Sequence, residues 1–139
     1  MTEVIIDTEG AGQVRIADEA ISIIAGTAAL EIEGVAGMAG NLTGDIAHML
    51  GRRSLSKGVN VEAAGNNIKI TLNILAKFGY KLQETSEAIQ KRVKTAIENM
   101  IGLNAKEINI NIAGVLYYSY AENKAKNQTA KKQNHYNEP

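Results

Sequence analysis

The chain has 139 residues, of which 45% are hydrophobic and 22% are charged, and it contains no cysteine and no tryptophan. This composition is typical of one globular domain, and it excludes a disulfide framework, a cysteine nucleophile and any cysteine-ligated metal site. The formal net charge is zero, because a tail with four Lys and two Glu after residue 120 balances a body of −2. Proteins that bind nucleic acid usually carry a basic excess in their folded body, so the charge argues against nucleic acid as a partner.

Two features of the N-terminal half bear on targeting. The first thirteen residues are acidic and lack a basic region followed by a long apolar run, so they predict no signal peptide. The longest apolar-rich window is interrupted by Glu31 and Glu33, which makes it too polar to cross a bilayer. We therefore expect no direct membrane insertion.

The first predicted elements are a strand and a helix, after a flexible N-terminal segment of residues 1–11. Val14 and Ile16 alternate with polar residues, which is typical of a half-buried strand. Asp18 stands where a helix N-cap is expected, and Gly34 is a natural stop for the helix. Apolar residues at helical spacing lie between them: Ile21, Ile24, Ala25, Ala28 and Ile32.

A glycine-rich stretch follows the helix. Gly34, Gly37 and Gly40 recur every three residues, but neither common phosphate-binding motif is present, so we interpret them as packing and turn positions. The pattern predicts a short strand over Val35–Met38. Residues 45–57 predict a long connection, with one weak helical turn around residues 46–50.

The central part of the sequence predicts an antiparallel hairpin with one polar face. Apolar residues alternate with polar ones on both sides of a turn at residues 64–67. On the first strand they are Val59, Val61 and Ala63, and on the second they are Ile68, Ile70, Leu72, Ile74 and Ala76.

A second helix and a last strand complete the predicted domain. The helix carries an apolar stripe of Ile89, Val93, Ala96, Ile97, Met100 and Ile101 and ends at Gly102. Ile108, Ile110 and Ile112 then alternate with asparagine, which predicts a strand with one polar face.

Together these elements predict an α+β fold. The expected architecture is a two-layer sandwich, in which a mostly antiparallel sheet of about four strands carries two helices on one face. The domain would span residues 12–120. Residues 121–139 contain no Val, Ile, Leu or Phe, and they predict a disordered polar tail.

Residues suited to catalysis are scarce. The chain has two histidines, and no spacing typical of metal ligands is present, so we predict no metal and no cofactor. Ser54, His48 and Asp45 contain the residue types of a catalytic triad, but they fall within one loop that gives no rigid support. The sequence therefore predicts that the protein is not an enzyme.

Two groups of residues are candidates for binding a partner. Arg52, Arg53 and Lys57 form the main basic cluster of the body, which suits either a solvated loop or a docking site for an acidic partner, an anionic lipid surface or RNA. Tyr117, Tyr118 and Tyr120 account for three of the six aromatic residues. Neighbouring residues of a strand point to opposite sides, so these tyrosines either present an interface or cap the core.

The pattern of residues 12–116 resembles the alkaline shock protein family of Gram-positive bacteria. The resemblance is carried by Gly12, Ile24-Ala25-Gly26, Gly34-Val35, Met38, Gly58-Val59, Gly79-Tyr80, Gln90, Val93, Gly102-Leu103 and Ile108-Asn109-Ile110. It implies a cytoplasmic, non-enzymatic protein of cell-envelope homeostasis and stress response.

The resemblance also implies how such a protein works. It would bind itself as a homo-oligomer and bind a protein partner, either a membrane-anchored protein or a protein of lipid synthesis. Any membrane association would then pass through that partner. Two alternatives stay open: modulation of fatty-acid synthesis through acetyl-CoA carboxylase, and an RNA-binding module.

Overall fold

The structure, a computed structural model, describes residues 3–41 and 56–117. In chain order the strands and α-helices are β1 (Glu3–Thr8), β2 (Gly12–Ala17), α1 (Asp18–Leu30), β3 (Val35–Met38), β4 (Val59–Ala64), β5 (Asn67–Lys77), α2 (Leu82–Ile101) and β6 (Asn104–Leu116). A short 3-10 helix, Ala39–Asn41, follows β3.

The long strand β5 is the centre of the main sheet. β3 and β4 pair antiparallel with successive parts of one edge of β5, and β6 pairs parallel along the other edge. β1 and β2 form a separate antiparallel hairpin. Within the described ranges, three of the four strand pairings are antiparallel, which confirms the predicted α+β class and its mostly antiparallel sheet.

The predicted hairpin is confirmed in detail. β4 and β5 are antiparallel, with Val61 opposite Ile70 and Val59 opposite Leu72. Gly65 lies in the turn with φ +63°, a left-handed conformation that glycine adopts without steric cost. The apolar face of the hairpin is buried against the helices, and its polar face is open.

One core joins the sheet to both helices. The largest fully buried side chains come from all three parts, and each contributes about 1.5–3 kcal/mol of burial free energy before the ordering entropy is counted. They are Ile21 of α1, Ile68, Ile70, Leu72 and Ile74 of β5, and Ile89, Val93 and Ile97 of α2. Both helices therefore cover the same face of the sheet, as predicted.

The structure corrects three details of the sequence analysis. Residues 3–8, assigned there to a flexible segment, form β1, and Val4 is buried in the core. The sequence hid this strand because Ile5, on the opposite face, breaks the alternation. Ala17 rather than Asp18 is the N-cap of α1, and no side chain caps this end. Met100, placed on the core stripe of α2, is 69% exposed.

The two ends of the connection between β3 and β4 lie next to each other. A Cβ built on Gly40 would lie 2.5 Å from the backbone nitrogen of Gly58, so the chain comes back to within van der Waals contact of itself. Between these two glycines, residues 42–55, with the predicted helical turn, lie outside the described residues. The predicted domain end at residue 120 and the tail 121–139 also lie outside them.

Candidate protein-interaction surface

The structure separates the two predicted binding groups. Tyr117 directly follows β6, on one side of the central strand, whereas Lys57 precedes β4 on the other side. Both side chains are exposed. Arg52, Arg53, Tyr118 and Tyr120 lie outside the described residues, so their roles stay predictions.

An aromatic pair occupies the end of β5 and β6. The rings of Phe78 and Tyr117 are 5.8 Å apart between centroids and tilted by 56°, a favourable aromatic geometry. Their side chains are nevertheless 66% and 70% exposed. The backbone N–H of Phe78 donates to the carbonyl of Leu116 at 2.7 Å, and this hydrogen bond holds the ends of the two strands side by side. We call Phe78, Leu116 and Tyr117 the aromatic patch.

Phe78 was not predicted to belong to this surface. Phe78 follows β5 and Tyr117 follows β6, and they meet only because these two strands are parallel and end at the same edge of the sheet. An antiparallel β6 would have placed Tyr117 at the other end. The signal that was available is the 20-residue helix between the strands, since a crossover of that length permits parallel pairing.

The face of the sheet opposite the helices is polar. Lys69 lies between two acids on neighbouring strands, Glu62 of β4 and Glu107 of β6. Next to this row, Asn111 donates its side-chain amide to Asn73 at 2.9 Å. The charges of this row alternate in sign, so the row itself is not a basic track of the kind that RNA binding uses.

A depression of about 220 Å³ opens at one end of the polar face. Its charged lining side chains are two acids and two lysines, Glu62, Glu107, Lys69 and Lys106, all of them exposed. Exposed charges in water keep high-dielectric surroundings and gain little reactivity. This depression therefore lacks the dry, convergent geometry that an enzyme site needs.

The described residues contain no group of three or more His, Asp or Glu side chains placed to hold a metal ion. Among these residues, Glu98 has a pKa lowered by a hydrogen bond from the Lys94 side chain and by another from the backbone N–H of Ala105. These partners tie α2 to β6, so the shift reflects packing rather than catalysis. The predicted Ser54, His48 and Asp45 lie outside the described residues, and the absence of enzymatic activity and of a cofactor stays a prediction.

The helices within the described ranges include no segment long and apolar enough to cross a membrane.

The residues that carry the family resemblance have structural roles. Gly34 is buried with φ +99°, and a Cβ there would lie 3.1 Å from the ring of Tyr80. Gly102 ends α2 in the left-handed conformation, and its N–H donates to the carbonyl of Glu98. Gln90 donates its side-chain amide to the carbonyl of Ile108, linking α2 to β6 at 2.9 Å. These positions explain why the pattern identifies the fold more closely than the function.

Comparisons with known proteins agree with the family resemblance. The model of the alkaline shock protein 23 family, described by a cell envelope-related function, matches residues 6–117. The uncharacterized protein YqhY of Bacillus subtilis is 35% identical over 111 residues, which cover 80% of this chain and 82% of that protein. The uncharacterized protein YloU of the same organism is 33% identical over 106 residues, covering 75% and 88%.

A more distant relative has a functional name. A stress response regulator gls24 homolog of Streptococcus pyogenes is 25% identical over 105 residues, which cover 75% of this chain and 59% of that protein. No solved structure matches the chain. On the extent of the family match and on the similarity to YqhY, the chain belongs to the alkaline shock protein 23 family, whose function is related to the cell envelope.

Proposed function

We propose that this protein is a non-enzymatic interaction protein of cell-envelope homeostasis and stress response. It acts by associating with itself and by binding a protein partner in the cytoplasm, and it reaches the membrane through that partner. The family description and the name of the streptococcal relative support the envelope and stress setting. The aromatic patch carries the proposal of a partner.

The aromatic patch has the properties of a protein-binding surface. Phe78 and Tyr117 leave most of their ring area in water, although burying such rings is favourable. Aromatic rings offer a large contact area with few rotatable bonds, so that little entropy is lost on binding, and they are enriched at the centres of interfaces.

The patch also has a rigid base. β5 and β6 are paired along the whole length of β5, and the hydrogen bond from Phe78 to Leu116 continues the pairing beyond β5. A side chain held on a regular sheet is positioned before the partner arrives, which reduces the cost of ordering on binding. This surface is therefore suited to a specific partner.

Genetic complementation tests this function. In a strain that lacks the gene, we expect wild-type protein to restore growth under a cell-wall-acting antibiotic, and the double variant Phe78→Ala/Tyr117→Ala to fail. Met100→Ala is the matched control, because Met100 is a similarly exposed apolar residue that lies on α2, near the opposite end of β6. It should restore growth fully.

The proteins that co-purify with the same variants identify the partner. A membrane protein captured by wild type and Met100→Ala, but not by the double variant, would agree with the proposal. Capture of acetyl-CoA carboxylase subunits in the same pattern would favour the alternative role in fatty-acid synthesis. Full complementation by the double variant, when it is expressed at the wild-type level, would contradict the role of the patch.

A further inference from the structure

The outer edge of β6 is partly covered by side chains of α2. Lys94 donates to the carbonyl of Ala105 at 3.1 Å, and Glu98 accepts from the N–H of the same residue at 3.1 Å. Gln90 donates to the carbonyl of Ile108. The backbone groups of Ala105 and Ile108 therefore point away from β5. Because alternate residues of a strand point the same way, those of Ile110 and Ile112 also point outward.

Among the described strands, β5 alone pairs with β6, so no strand occupies this outer edge beyond Ile108. Irregularities in the pairing with β5 fall at Lys106 and at Ala113, so the regular stretch of β6 lies between them. Residues 108–112 include no lysine and no proline, which natural sheets use to protect an edge. An unprotected regular edge is a template for another strand.

The side chains along this edge read the same in both directions. From Ile108 to Ile112 the sequence is Ile-Asn-Ile-Asn-Ile, with the isoleucines on the helix-covered face and the asparagines on the polar face. An antiparallel strand of identical sequence, centred on Ile110, would place isoleucine against isoleucine and asparagine against asparagine. A slip of one residue would set Ile against Asn and break this match.

We propose that this edge is a homodimer interface, in which β6 of two copies pair antiparallel around a two-fold axis at Ile110. The inference rests on the self-association in the proposed function and gives it a surface. A peptide of another sequence does not need the palindromic pattern to pair with an open edge, whereas a two-fold interface requires a surface that is complementary to itself. The occupant is therefore a second copy of this chain.

The backbone geometry suits this pairing. With Ile110 opposite Ile110 of the second copy, the outward N–H and C=O groups of the two residues bond reciprocally. Ile108 and Ile112 of the second copy form the next such pair, and the Ile108 carbonyl has a second lone pair beside the one that Gln90 occupies. Since the axis is perpendicular to the sheet, the helices of both copies cover the same face.

The charges along β6 also permit this antiparallel pairing of two copies. In this register Glu107 meets Ala113 of the second copy, and Lys106 meets Gly114, so no like charges oppose each other along the strand pair.

Cysteine cross-linking tests the register directly, because the chain has no cysteine of its own. Asn109 and Asn111 of the second copy would form a non-hydrogen-bonded pair with Cα atoms about 4.5 Å apart, within the range of a disulfide. A 1:1 mixture of Asn109→Cys and Asn111→Cys chains under mild oxidation should give a linked dimer, and neither variant alone should. Linkage of Asn111→Cys alone, or no linkage in the mixture, would overturn the proposed register.

Sedimentation velocity tests the interface without a covalent bond. The variant Asn109→Glu/Asn111→Glu sets like charges opposite each other and should be monomeric where wild type is dimeric. Asn109→Lys/Asn111→Glu loses the same asparagines but sets opposite charges together, so it should remain a dimer. Wild type that stays monomeric at millimolar concentration would overturn the proposal, whereas the complementation test would still decide the role of the aromatic patch.

Discussion

Gly40, within the 3-10 helix, lies against Gly58, which directly precedes β4. A Cβ on Gly40 would come within 2.5 Å of the Gly58 nitrogen and 2.9 Å of the Lys57 carbonyl carbon, closer than real Cβ atoms approach backbone. Gly58 in turn has φ +83° and accepts hydrogen bonds from the backbone and side chain of Asn73. This contact holds both ends of the β3–β4 connection on the edge of β5.

Substitution of Gly40 by alanine should therefore destabilise the fold. The backbone around Gly58 is held by β5 and has to shift, so we expect Gly40→Ala to lower the free energy of unfolding by about 1–3 kcal/mol, the usual cost of overpacking. Urea denaturation measures it. Gly37→Ala is the matched control, because a Cβ there meets nothing within 4 Å, and it should change stability by less than about 0.5 kcal/mol. Equal effects of the two substitutions would show that the contact is not rigid.

At the scale of elements, α2 and β6 are joined by polar contacts as well as by the core. Glu98 connects both, since its carboxylate accepts from Lys94 at 2.9 Å and from the Ala105 N–H. The amphipathic pattern predicted α2 and its buried face, and the Ile-Asn alternation predicted β6. Neither pattern specifies the direction in which β6 joins the sheet, because periodicity reports which face of a strand is buried and not which strand is its neighbour.

The Glu98 contact makes stability depend on pH. Its pKa is lowered below the ordinary value of 4.5 by the Lys94 side chain and the Ala105 N–H. Between the lowered and the ordinary pKa, the unfolded chain binds more protons than the folded one, so stability falls as the pH falls through that window. Glu98→Gln removes this titration, and its unfolding free energy should decline less steeply below pH 4.5 than that of wild type.

Lys94→Ala removes the largest cause of the lowered Glu98 pKa. Its unfolding free energy should therefore also decline less steeply at acidic pH than that of wild type. Urea titrations at a series of pH values measure both variants. If the unfolding free energy of Glu98→Gln declined at acidic pH as steeply as that of wild type, the contact of Glu98 with Lys94 and Ala105 would not persist in solution.

At the scale of the whole molecule, the sequence predicts the layers better than the surfaces. The fold class, the hairpin and the buried faces of both helices follow from apolar spacing, because burial of those faces is what stabilises the domain. The aromatic patch depends on parallel pairing, which brings Phe78 to Tyr117 from a distant part of the sequence. Local patterns do not contain that contact, and the same holds for the exposure of Met100.

The central claim is that the protein works by binding another protein through the aromatic patch. Site-specific photocross-linking in living cells tests it most directly, with a photoreactive phenylalanine analogue at position 117 or, as the control, at position 100. Both side chains are about equally exposed, at 70% and 69%, so they differ in location rather than access. We predict a discrete protein adduct from position 117 that strengthens under envelope stress, and none from position 100. No adduct at 117, or the same adducts from both positions, would contradict the claim.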